Sequence, residues 1–141
     1  MKPRHAALAL LVVAGFALPA TDLRADEPTP YRIVDGKVDF GTYNGFRRYH
    51  SFCHVCHGPD GLGSSFAPAL VDSLKTMSRD EFNEIVVNGR ENVTQAQENV
   101  MPAFGTVEDV MFYLDDIYAY LKARSDGALG RGRPPHLPKD R

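Results

Sequence analysis

Cys53-His54-Val55-Cys56-His57 is the stretch on which the reading of this chain turns. Two thiols separated by two residues sit on one turn and can reach the two vinyl groups of a single porphyrin. The residue that follows, His57, then points its imidazole at the iron from the proximal side. These are the only two cysteines among 141 residues. Three other uses of the pattern compete. A redox C-x-x-C needs a thioredoxin-like βαβ setting, and no such pattern surrounds this one. A zinc site needs four ligands, and no second cysteine pair exists to supply them. A structural disulfide leaves His57 without a role. The motif therefore predicts one haem, covalently held by Cys53 and Cys56, with His57 on the iron.

Upstream of the motif, residues 41–52 read as a helix. Tyr43, Phe46, Tyr49, Phe52 and Cys53 recur at three- and four-residue spacing. Gly45 costs such a helix about 1 kcal/mol relative to Ala, which is tolerable where another helix must approach closely. Residues 26–38, with Pro28 and Pro30, read as an extended lead-in. Downstream, residues 58–63 are a glycine-rich loop and Phe66-Ala67-Pro68-Ala69-Leu70 continues it, followed by a short helix over 70–76. Ser78-Arg79-Asp80-Glu81 is a capping box that opens a helix ending at Gly89. Residues 90–100 are polar and loop-like. Val107, Val110, Met111, Leu114, Ile117, Tyr118 and Leu121 predict one amphipathic helix from 107 to about 123, with Thr106 as N-cap. From Ser125 onward the chain is rich in Gly, Pro and basic residues and reads as a tail outside the core.

An iron held by His57 has an open opposite side. His50 and His54 are too close to the proximal anchor to reach round a porphyrin, and His136 lies in the Pro-rich tail. Met77 has no special context, and Met111 sits on an apolar stripe, where methionine is usually core filler. Met101 precedes Pro102, which biases it to extended geometry, and it lies 44 residues after His57. Met101 is the predicted sixth ligand, with a buried loop methionine as the alternative. His/Met ligation saturates the iron and raises its potential, which suits electron transfer better than chemistry on a bound molecule.

Residues 1–25 read as a secretory signal peptide. Lys2, Arg4 and His5 precede a 13-residue apolar run from Ala6 to Leu18, too short for a stable anchor, and cleavage is expected after Ala20 or Ala25. A periplasmic address fits thioether attachment, which bacteria carry out outside the cytoplasm. The remaining chain carries 13 basic and 17 acidic residues, a balance that disfavours nucleic acid as a partner. Residues 122–141 hold six basic and two acidic groups, against seven and fifteen over residues 26–121. The basic end is expected either to help orient an encounter, or to be a solvated tail, or to fold back on the protein's own acidic surface.

Residues 40–124 resemble a class I c-type cytochrome, an all-α fold wrapped round one haem. The motifs that carry this are Cys53 to Gly58 and Met101-Pro102, supported by Gly45 and Tyr49 before the haem motif and Asp116-Ile117-Tyr118-Ala119-Tyr120-Leu121-Lys122 near the end. By that likeness Gly45 lets the last helix approach, and the carbonyl of Pro68 accepts the Nδ1–H bond of His57. A narrower resemblance covers nearly the whole mature chain: residues 61–68, Val86-Val87-Asn88-Gly89-Arg90, Val100-Met101-Pro102, Asp116-Ile117-Tyr118 and residues 126–134. It is similar to the periplasmic cytochromes that accept electrons from quinoprotein methanol or ethanol dehydrogenases, enzymes that carry pyrroloquinoline quinone. Some of those relatives have an extra cysteine near the start of the last helix, where this chain has Phe112. The likeness implies a monomeric electron carrier, not an enzyme, that passes electrons on to a downstream cytochrome or terminal oxidase. A haem enzyme or gas sensor would need a displaceable distal ligand.

Overall fold

The computed structural model describes residues 28–93 and 98–139, so the expected signal peptide over 1–25 lies outside the described residues. Seven short and three longer strands and α-helices follow in order: β1 (Ile33–Val34), β2 (Lys37–Val38), α1 (Phe40–Phe52), α2 (His54–His57), α3 (Leu70–Ser73), α4 (Arg79–Asn88), β3 (Arg90–Val93), β4 (Glu98–Met101), α5 (Glu108–Met111) and α6 (Leu114–Ser125). Helices dominate, as expected. Two antiparallel ribbons, β1–β2 and β3–β4, stand where the sequence suggested only an extended lead-in and a loop.

The crossing of α1 and α6 organises the core. Asp39 caps α1, its carboxylate accepting from the Thr42 amide at 2.9 Å and the Thr42 hydroxyl at 2.7 Å. One turn further, Gly45 faces the α6 backbone so closely that a Cβ there would lie inside the van der Waals envelope of the Asp116 carbonyl oxygen. The helix cost of glycine is the condition of that approach. Asn44 Nδ2 donates to Asp116 Oδ2 at 2.7 Å beside it. Tyr49 and Tyr120, both fully buried, fill the crossing with ring centroids 5.5 Å apart, and Ile117, Leu121, Leu74 and Val110 complete the packing. Ser78 caps α4 by accepting from the Glu81 amide at 3.1 Å, and Phe82 on its buried face packs on Tyr118 of α6 at 5.3 Å.

Two expectations are corrected. The last helix is not continuous from 107. Val107, not Thr106, precedes α5, it makes no side-chain cap, and the chain leaves helical geometry at Tyr113 (φ −120°, ψ 22°) before α6 begins. Val110, Leu114, Ile117, Tyr118 and Leu121 are all buried on both sides of the break. An apolar stripe persists across a kink of one or two residues, so periodicity could not reveal it.

The second correction concerns the end of the chain. Residues 125–139 fold back as a strap. Leu129 and Pro134 are buried. Val38 donates to the Pro135 carbonyl at 3.0 Å and accepts from the Leu137 amide at 2.8 Å, forming a parallel bridge with His136. The His136 ring stacks on Tyr43 with centroids 3.9 Å apart, and Arg133 donates to the Tyr43 hydroxyl. Gly- and Pro-rich sequence has no helical or strand period; its order here comes from partners distant in sequence.

Candidate haem-binding site

Cys53 ends α1 and Cys56 and His57 lie on α2, so the turn that joins these helices presents all three side chains within five residues. Neither cysteine is in a disulfide. Burial, reinforced by Cys56, pushes the Cys53 thiol up to about 12. Among the described residues no group of three or more His, Cys, Asp or Glu side chains could hold a metal ion.

His57 is buried, and its Nδ1 lies 3.0 Å from the Pro68 carbonyl oxygen. A carbonyl can only accept, so Nδ1 carries the proton and Nε2 keeps a free lone pair. The loop that returns the chain to Pro68 is held by Tyr49, whose hydroxyl donates to the Gly58 carbonyl at 2.5 Å and accepts from the Gly61 amide at 3.1 Å. The same loop holds Asp60, buried and held by the strap and α6: from the strap the Gly132 amide donates at 2.9 Å and Arg131 Nε at 3.4 Å, and from α6 the Tyr120 hydroxyl donates at 3.5 Å. Burial raises the Asp60 carboxyl, but the Gly132 amide and Arg131 outweigh it and the net shift is downward. Sequence reasoning missed Asp60. The Pro59-Asp60-Gly61 turn reads as local loop chemistry and carries no sign of partners some seventy residues away.

Met101 closes β4, half-buried against the core. Its segment is tied to the end of α4. Arg90 of β3 pairs with Met101. The Phe104 and Gly105 amides donate to the Val86 and Val87 carbonyls at 2.9 and 3.0 Å, using acceptors that the last helical turn leaves free. Between them sits Gly89, at φ +75° and ψ −178°, where a Cβ would stand 2.6 Å from the Met101 carbonyl oxygen and 2.9 Å from the Ala103 amide nitrogen. The sequence marked Gly89 as a helix stop; the structure adds that it is the seat of the Met101 segment. Met111 is half-buried on the apolar face of α5, and Met77 packs at the core margin. The residues fit a haem: a histidine with the correct free nitrogen, two uncommitted thiols, and apolar side chains such as Phe52, Leu70, Met101 and Phe104 that the protein itself covers only in part.

The family model described as cytochrome c oxidase, cbb3-type, subunit III matches residues 42–121. The chain belongs to the class I c-type cytochromes. This cytochrome is 56% identical over 110 residues to cytochrome c-553I of Paracoccus denitrificans, a match covering 77% of this chain and 48% of that protein. The chain thus spans about half the length of that relative. It is 39% identical over 130 residues to cytochrome c-555 of Methylococcus capsulatus, covering 92% and 89% of the two chains. The crystal structure of the c-type cytochrome XoxG from Methylobacterium extorquens AM1 superposes with a TM-score of 0.68 at 44% identity, over 82% of this chain and 77% of that one. The cytochrome carries covalent haem c, and the relatives it matches are electron-transfer proteins. No helix among the described residues is long and apolar enough to cross a membrane.

Proposed function

We propose that this cytochrome is a periplasmic electron acceptor for a pyrroloquinoline quinone-dependent alcohol dehydrogenase acting on methanol or ethanol, and that it passes electrons to a downstream cytochrome or terminal oxidase. In this reading Cys53 and Cys56 attach the haem, His57 and Met101 are the axial ligands, and Pro68 orients His57. Haem c supplies a one-electron ferric/ferrous couple. The protein's part is to keep both axial positions filled, so that nothing binds or leaves during transfer. The observation that carries the electron-carrier role is the pair of tethers on opposite segments: His57 Nδ1 on the Pro68 carbonyl, and the Met101 segment on the end of α4. Ligands held from behind in this way resist displacement and need little rearrangement between redox states.

Support for the donor comes from the sequence resemblance over residues 61–68, 86–90, 100–102 and 126–134. Stopped-flow reduction of the ferric protein by a panel of purified alcohol dehydrogenases tests it. A quinoprotein dehydrogenase is expected to reduce the protein with a second-order rate that falls as salt rises, because charged surfaces steer the encounter. Reduction only by enzymes of another class would replace the donor and leave the carrier role intact. Mass analysis of the exported protein, showing loss of the first 20 or 25 residues and addition of one haem, tests the address.

A further inference from the structure

Pro59-Asp60-Gly61-Leu62 turns the chain directly behind the haem motif, with Asp60 at φ +61° and Gly61 at φ +74°. An Asp-Gly pair at positive φ is ordinary in a tight turn. Asp35-Gly36, between β1 and β2, is another, at φ +49° and +74°. The two turns differ in their carboxylates. Asp35 is exposed, as turn chemistry alone would have it. Asp60 has only 5% of its surface exposed, and its donors lie 60, 71 and 72 residues further along the chain. The Arg124 guanidinium adds a bond from Nε to the Asp60 carbonyl at 3.3 Å and another to the Leu129 carbonyl. One residue thus ties the turn to both α6 and the strap, which the turn geometry does not require.

The loop that Asp60 anchors is the one that holds His57 from behind. The Gly63 amide donates to the His57 carbonyl at 2.7 Å, and Ser64 Oγ donates to the Cys56 carbonyl. The Ser64 amide donates to the Ala67 carbonyl at 3.0 Å, and the next residue, Pro68, accepts from His57 Nδ1. Backbone packs on backbone throughout. A Cβ at Gly58 would overlap the Gly63 carbonyl, and one at Gly63 would stand 2.8 Å from the Ala69 amide nitrogen. Close-packed backbones transmit displacement, so the seat of Asp60 bears on the position of the Pro68 carbonyl.

We propose that Asp60 is a positioning residue for His57: by anchoring the loop to the strap and α6, it sets the hydrogen bond from His57 Nδ1 to the Pro68 carbonyl, and with it the reduction potential. The proposal rests on the reading of His57 as an axial ligand. A firm Nδ1–H bond makes the imidazole a stronger donor and favours the ferric state; a loosened bond raises the potential. The Asp60 carboxylate acts in the same direction as a buried negative charge, so charge and position must be separated by experiment. Two substitutions suit the left-handed backbone and do so. Asp60→Asn removes the charge and keeps an oxygen for the Gly132 amide. Asp60→Gly removes the anchor altogether.

The test uses the full-length holoprotein, with NMR of the ferrous form and redox titration. In Asp60→Asn the His57 Nδ1–H should keep its wild-type shift and exchange rate, while the potential rises through loss of charge. In Asp60→Gly the Nδ1–H signal should move upfield and exchange about tenfold faster, as a locally opened site does. Its potential should stand above that of Asp60→Asn. Wild-type Nδ1–H exchange in Asp60→Gly, with equal potentials for the two variants, would overturn the proposal and leave Asp60 an anchor of stability alone. Should Asp60→Gly fail to mature, hydrogen exchange of the wild type in low denaturant decides. The Gly132, Gly61 and Gly63 amides are expected to open together; a Gly132 amide that exchanges while the other two stay protected would overturn the proposal. The axial reading is checked in the same spectra. If the ferrous wild type lacks the ring-current-shifted imidazole signals of an iron-bound His57, that reading falls and the proposal with it; if they are present and indifferent to Asp60→Gly, only the proposal falls.

Discussion

A methyl group at Gly89 would meet both the Met101 carbonyl and the Ala103 amide, at a backbone conformation that only glycine adopts easily. Gly89→Ala is therefore expected to cost about 1–3 kcal/mol in urea unfolding. It should also move the Met101 segment, weakening the far-red sulfur-to-iron charge-transfer band of the ferric protein and lowering its potential. A loss of stability with band and potential unchanged would leave Gly89 a helix stop and nothing more. At Cys53 and Cys56 the test is chemical. After acid denaturation and butanone extraction the haem should stay with the polypeptide; haem in the organic layer would contradict thioether attachment.

Among the elements, the α1–α6 crossing was the most legible in the sequence. Gly45, Tyr49, Ile117 and Tyr120 stand in contact where helical spacing and the cytochrome likeness placed them. Gly45→Ala tests the crossing. The added methyl has only α6 backbone to displace, so a loss of about 1–3 kcal/mol is expected in thermal or urea unfolding, as for other overpacked cores; an unchanged midpoint would mean the helices have room. Three features were not legible, for different physical reasons. The β3–β4 ribbon is written Arg-Glu-Asn-Val and Glu-Asn-Val-Met, which lacks the alternation of a half-buried strand. The break between α5 and α6 leaves the apolar stripe intact. The strap is written in Gly, Pro and Arg, residues whose order depends on Asp60, Tyr43 and Val38. The haem motif was plain because its chemistry is local to five residues; the Gly89 seat was hidden because it is a contact between two backbones.

Across the whole molecule the strap joins the last residues to the haem loop, and Asp60 makes that joint depend on pH. Its folded carboxyl lies below the ordinary value of 3.8, so the unfolded chain binds the extra proton first as pH falls. The stability it contributes is complete above that ordinary value and is lost as pH drops through the lower, folded one. Asp60→Asn should flatten this acid limb of the unfolding curve; an unchanged limb would place the acid sensitivity elsewhere. Truncation after Arg124 removes the buried Leu129 and Pro134 and the bridge to Val38, and a loss of about 2–5 kcal/mol is expected from that burial and hydrogen bonding. Equal urea midpoints for full-length and truncated proteins would show that the strap adds nothing. The central claim is that the molecule carries electrons because its iron has no vacancy, with Met101 closing the side opposite His57. Carbon monoxide added to the ferrous protein tests this most directly. The wild type is expected to resist it over minutes and Met101→Ala to bind it at once; rapid binding by the wild type, or equal resistance in the variant, would contradict the account.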